Sequence, residues 1–452
     1  MSSRFELLGI FPVGRTLITL SIPAIIGMLV MASYNVADAV FVGRGVGSHG
    51  LGALGTAAPI LFIVQGIALL IGIGSASGIS RSLGAGDLKT AEATLGTCIS
   101  VALASGLAVL FLGRFTLPIL MAFIGTPTEL RPLIDEYLSI IFLGSPFLVA
   151  GIAMNCVIRA EGRAAVAMLT LIISAGVNIA LDPLFIFVLH MGITGAAIAT
   201  IIAQAVTFFW ALAHYLTPGR SSVTLHRRNL RPTAPILKDI VTVGGSEFAR
   251  IFAQAVTITV VLNRLSHYGN STVLAGYAIF FKVMALSIMP IFGIGQGLQP
   301  LVGYAHGAGN PNRVCRAVLL AIIGATTFST GTEVVLMAWP RSIFALFTTD
   351  AHLLDVAVDL ARKSLLCYAT VGFQVIGTVT FQAMGLSKPA MILSLSRQML
   401  FRIPLLFLLP AFFGLSGVFF SFPLADAAAA LLTFQLLKVH KRHRIIQMEG
   451  LL

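Results

Sequence analysis

Apolar residues in this chain come in long blocks, not in alternation. The block 51–79 contains no charged residue. It exceeds the roughly 20 residues that a helix needs to cross a bilayer. Twelve such blocks predict helices near 16–42, 52–79, 91–113, 133–158, 164–189, 194–217, 236–264, 272–303, 312–339, 361–385, 388–411 and 415–438. A membrane β-barrel would show short segments of alternating polarity, which these blocks lack. The pattern predicts an all-α polytopic membrane protein.

Composition agrees. The 452 residues are 57% hydrophobic and 10% charged, against about 25% charged in a soluble domain. The net charge of +12 then reads as a topology signal, not as nucleic-acid affinity, because cytoplasmic loops collect Lys and Arg. With both termini and the even-to-odd loops on one side, that side holds 18 of the 29 Lys and Arg; the other side holds 7, and 4 lie inside helices. The basic side includes Arg4, Lys441, Arg442, Arg444 and the longest polar link, 218–235, with Arg220, Arg227, Arg228 and Arg231. The expectation is a plasma (inner) membrane protein with both termini in the cytoplasm. Residues 1–14 carry no cleavable signal pattern. Cys98, Cys156, Cys315 and Cys367 stand far apart in or beside apolar runs and read as small buried residues.

Four short matches recur near one offset. Gly72-Ile73-Gly74 repeats as Gly293-Ile294-Gly295, and Gly84-Ala85-Gly86 as Gly307-Ala308-Gly309. Ala160-Glu161-Gly162 repeats as Ala383-Met384-Gly385, and Gly192-Ile193-Thr194-Gly195 as Gly414-Leu415-Ser416-Gly417. All four lie at offsets of 221–223 residues in order, which marks an internal duplication. Six helices per half is an even number, so both halves enter the membrane in the same sense. The chain divides into an N-terminal lobe (1–217), a linker (218–235) and a C-terminal lobe with a basic tail (236–452). These are two pseudo-symmetric six-helix bundles with a cleft between them.

No metalloprotease, nucleophile-elbow, Walker or paired-cysteine motif is present, so no enzyme and no cofactor is expected. Gly45-Val46-Gly47-Ser48-His49-Gly50 has dinucleotide-loop spacing but follows a membrane helix, not a strand. Without a nucleotide site, an ion gradient is left as the driver of any pumping. Asp38 and Asp182 stand out, since a charge at the bilayer centre costs roughly 3 kcal/mol and is usually there for function. Asn178 is one turn before Asp182, and Pro183 loosens the same helix. Both acids fall in the outer half of the first bundle. Burial disfavours the charged form of a carboxylate, and a second carboxylate nearby disfavours two charges together. Such a pair could take up and release H⁺, or hold Na⁺. At offsets of 221–223, Asp38 maps to Thr259, Val260 or Val261, and Asp182 to Ile403, Pro404 or Leu405. None of these is ionisable. The second half carries instead Glu247 with Arg250, Lys282, Arg402, and Arg397 with Asp426, whose plain reading is charge pairs that settle helix packing.

These residues resemble the MATE family (multidrug and toxic compound extrusion), nearer its DinF-like and MepA-like members than its NorM-like ones. The resemblance covers nearly the whole chain. It is carried by residues 23–28 leading to Asp38, by 74–85, by Asn178-Ile179-Ala180-Leu181-Asp182-Pro183-Leu184-Phe185, by 195–200, and by 297–304. It implies twelve helices in two lobes and export of bulky, often cationic and aromatic drugs in exchange for H⁺ or Na⁺. It implies a coupling site of Asp38, Asp182, Asn178, Asn155 on helix 4 and Thr200 on helix 6. Tyr34, Glu247, Lys282 and Gln374 are candidates for a substrate or C-lobe site. NorM-like members use acids on helices 7 and 10. Glu247 resembles the first, while helix 10 offers only Gln374 and Gln382. Phe62, Phe147, Phe280, Phe281 and Met284 could line a drug cavity, but apolar helices carry such residues anyway, so packing is their default reading. The expected partners are small-molecule drugs and the lipid bilayer, with the protein a monomer. The competing reading is a lipid-linked saccharide flippase, for which Lys282, Arg250 and Arg397 could bind anionic head groups.

Overall fold

A computed structural model describes residues 7–124 and 128–449, with 123–124 and 441–449 described by backbone alone. Arg4 and the side chains of Lys441, Arg442 and Arg444 lie outside the described residues. Nine long helices are continuous: α1 (Val13–Gly45), α2 (Ser48–Gly84), α3 (Leu88–Ile124), α4 (Arg131–Ala160), α5 (Ala164–Pro183), α6 (Gly192–Leu216), α7 (Ala234–Tyr268), α8 (Ser271–Gly307) and α9 (Pro311–Ala338). The tenth, α10, is bent: Ala351–Ser364 meets Ala369–Ala383 at 59°. It starts ten residues before the expected 361, because its first segment is amphipathic. That segment carries Asp355, Asp359, Arg362 and Lys363, so it shows no apolar block.

The last helical stretch, Ser387–His440, has 54 residues. A straight helix of that length would be about 80 Å long, far more than a bilayer. The chain instead reverses at Gly414, whose φ of 54° and ψ of −136° are not helical. Arg402 and Asp426, which a straight helix would hold about 36 Å apart, are ion-paired at 2.8 Å. The stretch is therefore a hairpin of α11 (387–413) and α12 (415–449), which brings the spans to twelve.

Three of the four repeated motifs are turns. The fourth, Gly72-Ile73-Gly74 and Gly293-Ile294-Gly295, lies inside α2 and α8, where Gly74 and Gly293 abut Ile240 and Ile25 of the other lobe. Gly86 and Gly309 have φ of 75° and 67°, Gly162 and Gly385 82° and 75°, and Gly192 and Gly414 59° and 54°. The first two pairs end their helices with the same bond, in which the residue after the glycine donates five residues back: Asp87 to Ser82, Asn310 to Ala305, Arg163 to Ile158 and Leu386 to Phe381. A left-handed residue in such a cap strongly favours glycine. The linker is not free: Ser100 Oγ donates to the Leu230 carbonyl at 2.5 Å, and Glu161 accepts from Ser221 Oγ and the Ser222 amide at 2.7 and 2.8 Å. Cys98 and Cys156 are buried as expected, but Cys315 is exposed, since it sits on the outward face of α9.

The lobes, α1–α6 and α7–α12, meet over the end that carries the start of α1 and the linker, here called the basic end. Ser77 Oγ donates to the Gln382 carbonyl at 2.6 Å, Arg81 pairs with Asp239 at 2.6 Å, and Arg313 reaches the Leu8 carbonyl at 2.8 Å. Backbones touch there. A Cβ on Gly244 would stand 1.8 Å from the Leu70 carbonyl oxygen, and one on Gly84 2.0 Å from that of Tyr304. Beyond the Gln296–Met28 contact at 3.3 Å, no hydrogen bond or ion pair joins the lobes among the described residues. With cysteines placed at Arg81 and Asp239 in a cysteine-free background, cross-linking by a bifunctional thiol reagent about as long as the arginine side chain it replaces is expected to be rapid. Adding Gly244→Leu should slow it several-fold while the protein stays monodisperse, because its side chain has no room between the lobes. Unchanged cross-linking would show that the lobes do not close on that glycine.

Candidate functional site

Two polar sites lie in the apolar bundles. The first is in the N-lobe. Asp182 is fully buried and Asn178 is 1% exposed. Asn178 Nδ2 donates to Asp182 Oδ1 at 3.4 Å. Pro183 has no amide hydrogen, and the next five residues, Leu184–Val188, widen into a π turn. Asp38 reaches the same spot from α1, within hydrogen-bonding reach of Asp182. Asp38 Oδ1, Asp182 Oδ2 and Asn178 Oδ1 are buried acceptors facing no donor. Two carboxylates this close repel unless a proton comes between them, and three inward oxygens suit a small cation equally.

The structure redistributes the expected residues. Tyr34, expected in a substrate or C-lobe site, stands one turn before Asp38 and feels the charges of Asp38 and Asp182. It belongs to the N-lobe acid pocket. Tyr137 on α4, which the sequence reading passed over as one more aromatic in an apolar run, is buried beside Asp38, Tyr34 and Asp182. Asn155 is not there. It lies on α4 about 27 Å from Tyr137 by helix rise, donates to the Ala167 carbonyl at 3.0 Å and accepts from Arg159. Its place is the α4–α5 turn at the basic end, because five turns of rigid helix separate it from the acids. Thr200 lies level with Asn178, since Ser174 Oγ bonds the Ala203 carbonyl at 3.0 Å and so fixes the antiparallel register of α5 and α6. Its hydroxyl is spent on the Ala196 carbonyl at 3.0 Å.

The second site is the interlobe cavity of about 290 Å³, with Phe62 and Gln65 from the N-lobe and Glu247, Gln374 and Gln382 from the C-lobe in its wall. Glu247 Oε1 takes Arg250 at 2.6 Å, and its Oε2 takes Gln382 Nε2 at 3.4 Å. Helix 10 thus answers Glu247 with an amide, not a second acid. Gln374 Nε2 is tied to the Leu393 carbonyl at 3.1 Å. Lys282 is exposed and lines neither this cavity nor its C-lobe branch, because its α8 neighbours Phe281, Met284 and Ala285 take the inward face. Phe280, Phe281 and Met284 line the branch. Phe147 does not; it packs on Phe208 and Phe209 with ring centroids 5.6 and 5.8 Å away. The branch holds what the sequence reading caught only in part. Arg397 pairs with Asp426 at 3.5 Å as expected, but Arg402 shares the same carboxylate oxygen at 2.8 Å.

Comparison with known proteins places this geometry among relatives. The MatE family profile matches residues 23–184 and 248–408, one segment in each lobe. "Multidrug export protein MepA" of Staphylococcus aureus (strain MSSA476) is 28% identical over 93% of this chain and 92% of that protein. The protein of the same name from Staphylococcus haemolyticus (strain JCSC1435) is 29% identical over 92% of each. A solved outward-facing multidrug resistance MATE transporter of the MOP superfamily has a TM-score of 0.92 at 25% identity, covering 100% of this chain and 99% of that one.

The new placement of Asn155 carries a prediction. Asn155→Ala should lower the melting temperature, since it removes an acceptor from Arg159 in a bond of a kind worth about 1.5–3 kcal/mol. It should leave any stabilisation by Na⁺ or by acid unchanged, whereas Asn178→Ala should abolish that stabilisation. Thermal-shift scans across pH and Na⁺ check both; equal loss of the ion effect in the two variants would put Asn155 back in the acid pocket.

Proposed function

The chain belongs to the MatE family, and from that premise we propose that it is a secondary active multidrug exporter that trades an outgoing compound for incoming H⁺ or Na⁺. The observation that carries this reading is the Asp38–Asp182 pair, with Asp182 fully buried and Asp38 half-buried, and more oxygen acceptors than donors around it. The relatives' names, which speak of multidrug export, support the outgoing half.

The mechanism follows from where the two sites lie. The acid pocket is in the far half of the N-lobe, and the cavity is between the lobes, so coupling must run through helix geometry and not through shared contact. Asp38 is on α1, and α1 packs on the C-lobe: Ser21 and Ile25 meet Gly297 and Gly293. An ion that binds between Asp38 and Asp182 removes the repulsion between them and draws the outer part of α1 toward α5. That movement changes the α1 face against the cavity and releases the compound. Loss of the ion to the other side lets α1 return. With the basic end in the cytoplasm, as the excess of Lys and Arg there requires, the contacts described above close the inner gate. The cavity then faces outward. One chain supplies both lobes and the whole route, so a monomer suffices.

Asp38→Asn and Asp182→Asn should each abolish drug resistance in a pump-deficient host at normal membrane expression. Proteoliposomes given a pH gradient or, separately, a Na⁺ gradient should show efflux with one of them. Full resistance in both variants would remove the acids from coupling. The same expression tests the tag-accessible side of both termini.

A further inference from the structure

The duplication gives the N-lobe acid pocket a counterpart in the C-lobe, and its charge is reversed. The cavity branch there has a volume of about 120 Å³ and is lined by Thr257, Val261, Arg397, Gln398, Arg402 and Phe422, among others. Thr257 and Val261 stand 223 residues after Tyr34 and Asp38, and Phe422 stands 222 after Thr200, within the repeat offset. Gln398 and Arg402 stand 220 residues after Asn178 and Asp182. That is one residue outside the offset, on the π turn Ser396–Arg402 that locally changes the helix register. The pairs even repeat their bond: Asn178 to Asp182 at 3.4 Å, and Arg402 Nη1 to Gln398 Oε1 at 3.1 Å. Where the N-lobe has two acids, the C-lobe has two guanidiniums.

Their charge is not balanced. Arg397 and Arg402 share one oxygen of Asp426, which leaves one positive charge over. The other acid of the cavity, Glu247, is already held by Arg250. Arg402 is 6% exposed, and its Nε–H meets no acceptor. The hydroxyl of Tyr368, equally buried in the same wall, has no partner either. A surplus cation with idle donors, in a space several times the 10–15 Å³ or so that one water needs, is a site for an anion. The rest of the wall is aromatic: Phe422 lies under Arg402 at 4.5 Å, with Tyr277, Phe280 and Phe281 beside it. The branch joins the interlobe cavity through Gln254, Arg397 and Gln398, which line both.

We propose that this C-lobe pocket binds the acid group of an amphipathic organic anion, a carboxylate or phosphate with an apolar body, and that such anions are among the compounds the cavity takes. The charge expected of the cargo from family resemblance was positive. No carboxylate in this cavity or its branch is free of an arginine to receive one. As a substrate class the inference rests on the export reading; as a binding site it does not, since occupancy requires no transport.

The test is calorimetric binding to the purified full-length protein in detergent, with 2-naphthoate and 2-naphthylmethylammonium, which share one ring system and differ in charge. Naphthoate should bind about tenfold tighter or more. Arg402→Gln and Arg397→Gln each leave one guanidinium on Asp426, so each should erase that preference, while Arg402→Lys should keep most of it. If one glutamine variant does not fold, the other cancels the same charge. Tighter or equal binding of the ammonium compound, or a preference unchanged in a folded glutamine variant, overturns the proposal. Competition by dihexanoyl phosphatidate identifies a lipid head group as the source of the anion; lack of competition identifies a free organic acid. Naphthoate binding that persists where no gradient drives efflux would sink the export reading alone.

Discussion

A charged side chain inside a bilayer has no water to turn to, so the protein must answer it. That constraint organises this molecule. At the lobe interface Arg81 is answered by Asp239, at the cavity Glu247 by Arg250, and in the C-lobe Asp426 by two arginines. Asp38 and Asp182 differ from these, for no cation answers them among the described residues. Two like acids that share a pocket repel unless a proton or a cation comes between them.

The second constraint is closeness. The lobes meet along a seam of backbone contacts that only glycine allows, with a few side-chain bonds such as Arg81–Asp239 between them. Such a seam can part and reform without repacking a core. The cavity lies above it: the outermost hydrogen bond between the lobes among the described residues joins Gln296 and Met28, and both line the cavity.

Duplication supplied two copies of one pocket, and divergence gave them opposite signs. In each copy a polar residue on the fifth helix bonds another one turn later, at the mouth of a π turn or within one. In the first the pair is amide and acid; in the second it is amide and guanidinium. One fold can thus hold two acids in one lobe and two guanidiniums in the other, with no new architecture.

Twelve spans and the duplication were legible in sequence because both rest on local rules. Apolar blocks of membrane length have one stable backbone arrangement, and left-handed turns recruit glycine wherever they recur. Even Gly414 was visible as a repeat match, though only the hairpin pairing of Arg402 with Asp426 shows the chain turning back there. The acids were legible for the same reason, since their cost in an apolar run is local. What stayed hidden depended on which helix faces meet. Asn155 shares a helix with Tyr137, and only packing shows that Tyr137 reaches the acids while Asn155 stands five turns away. Lys282 looked functional until α8 turned its neighbours inward instead. Arg402 fell one residue outside the repeat offset and so vanished from the sequence comparison, because a π turn shifts register without leaving a mark in composition. Sequence alone determined where charge enters the membrane; tertiary structure decided which charges face one another, since that depends on helix rotation and register.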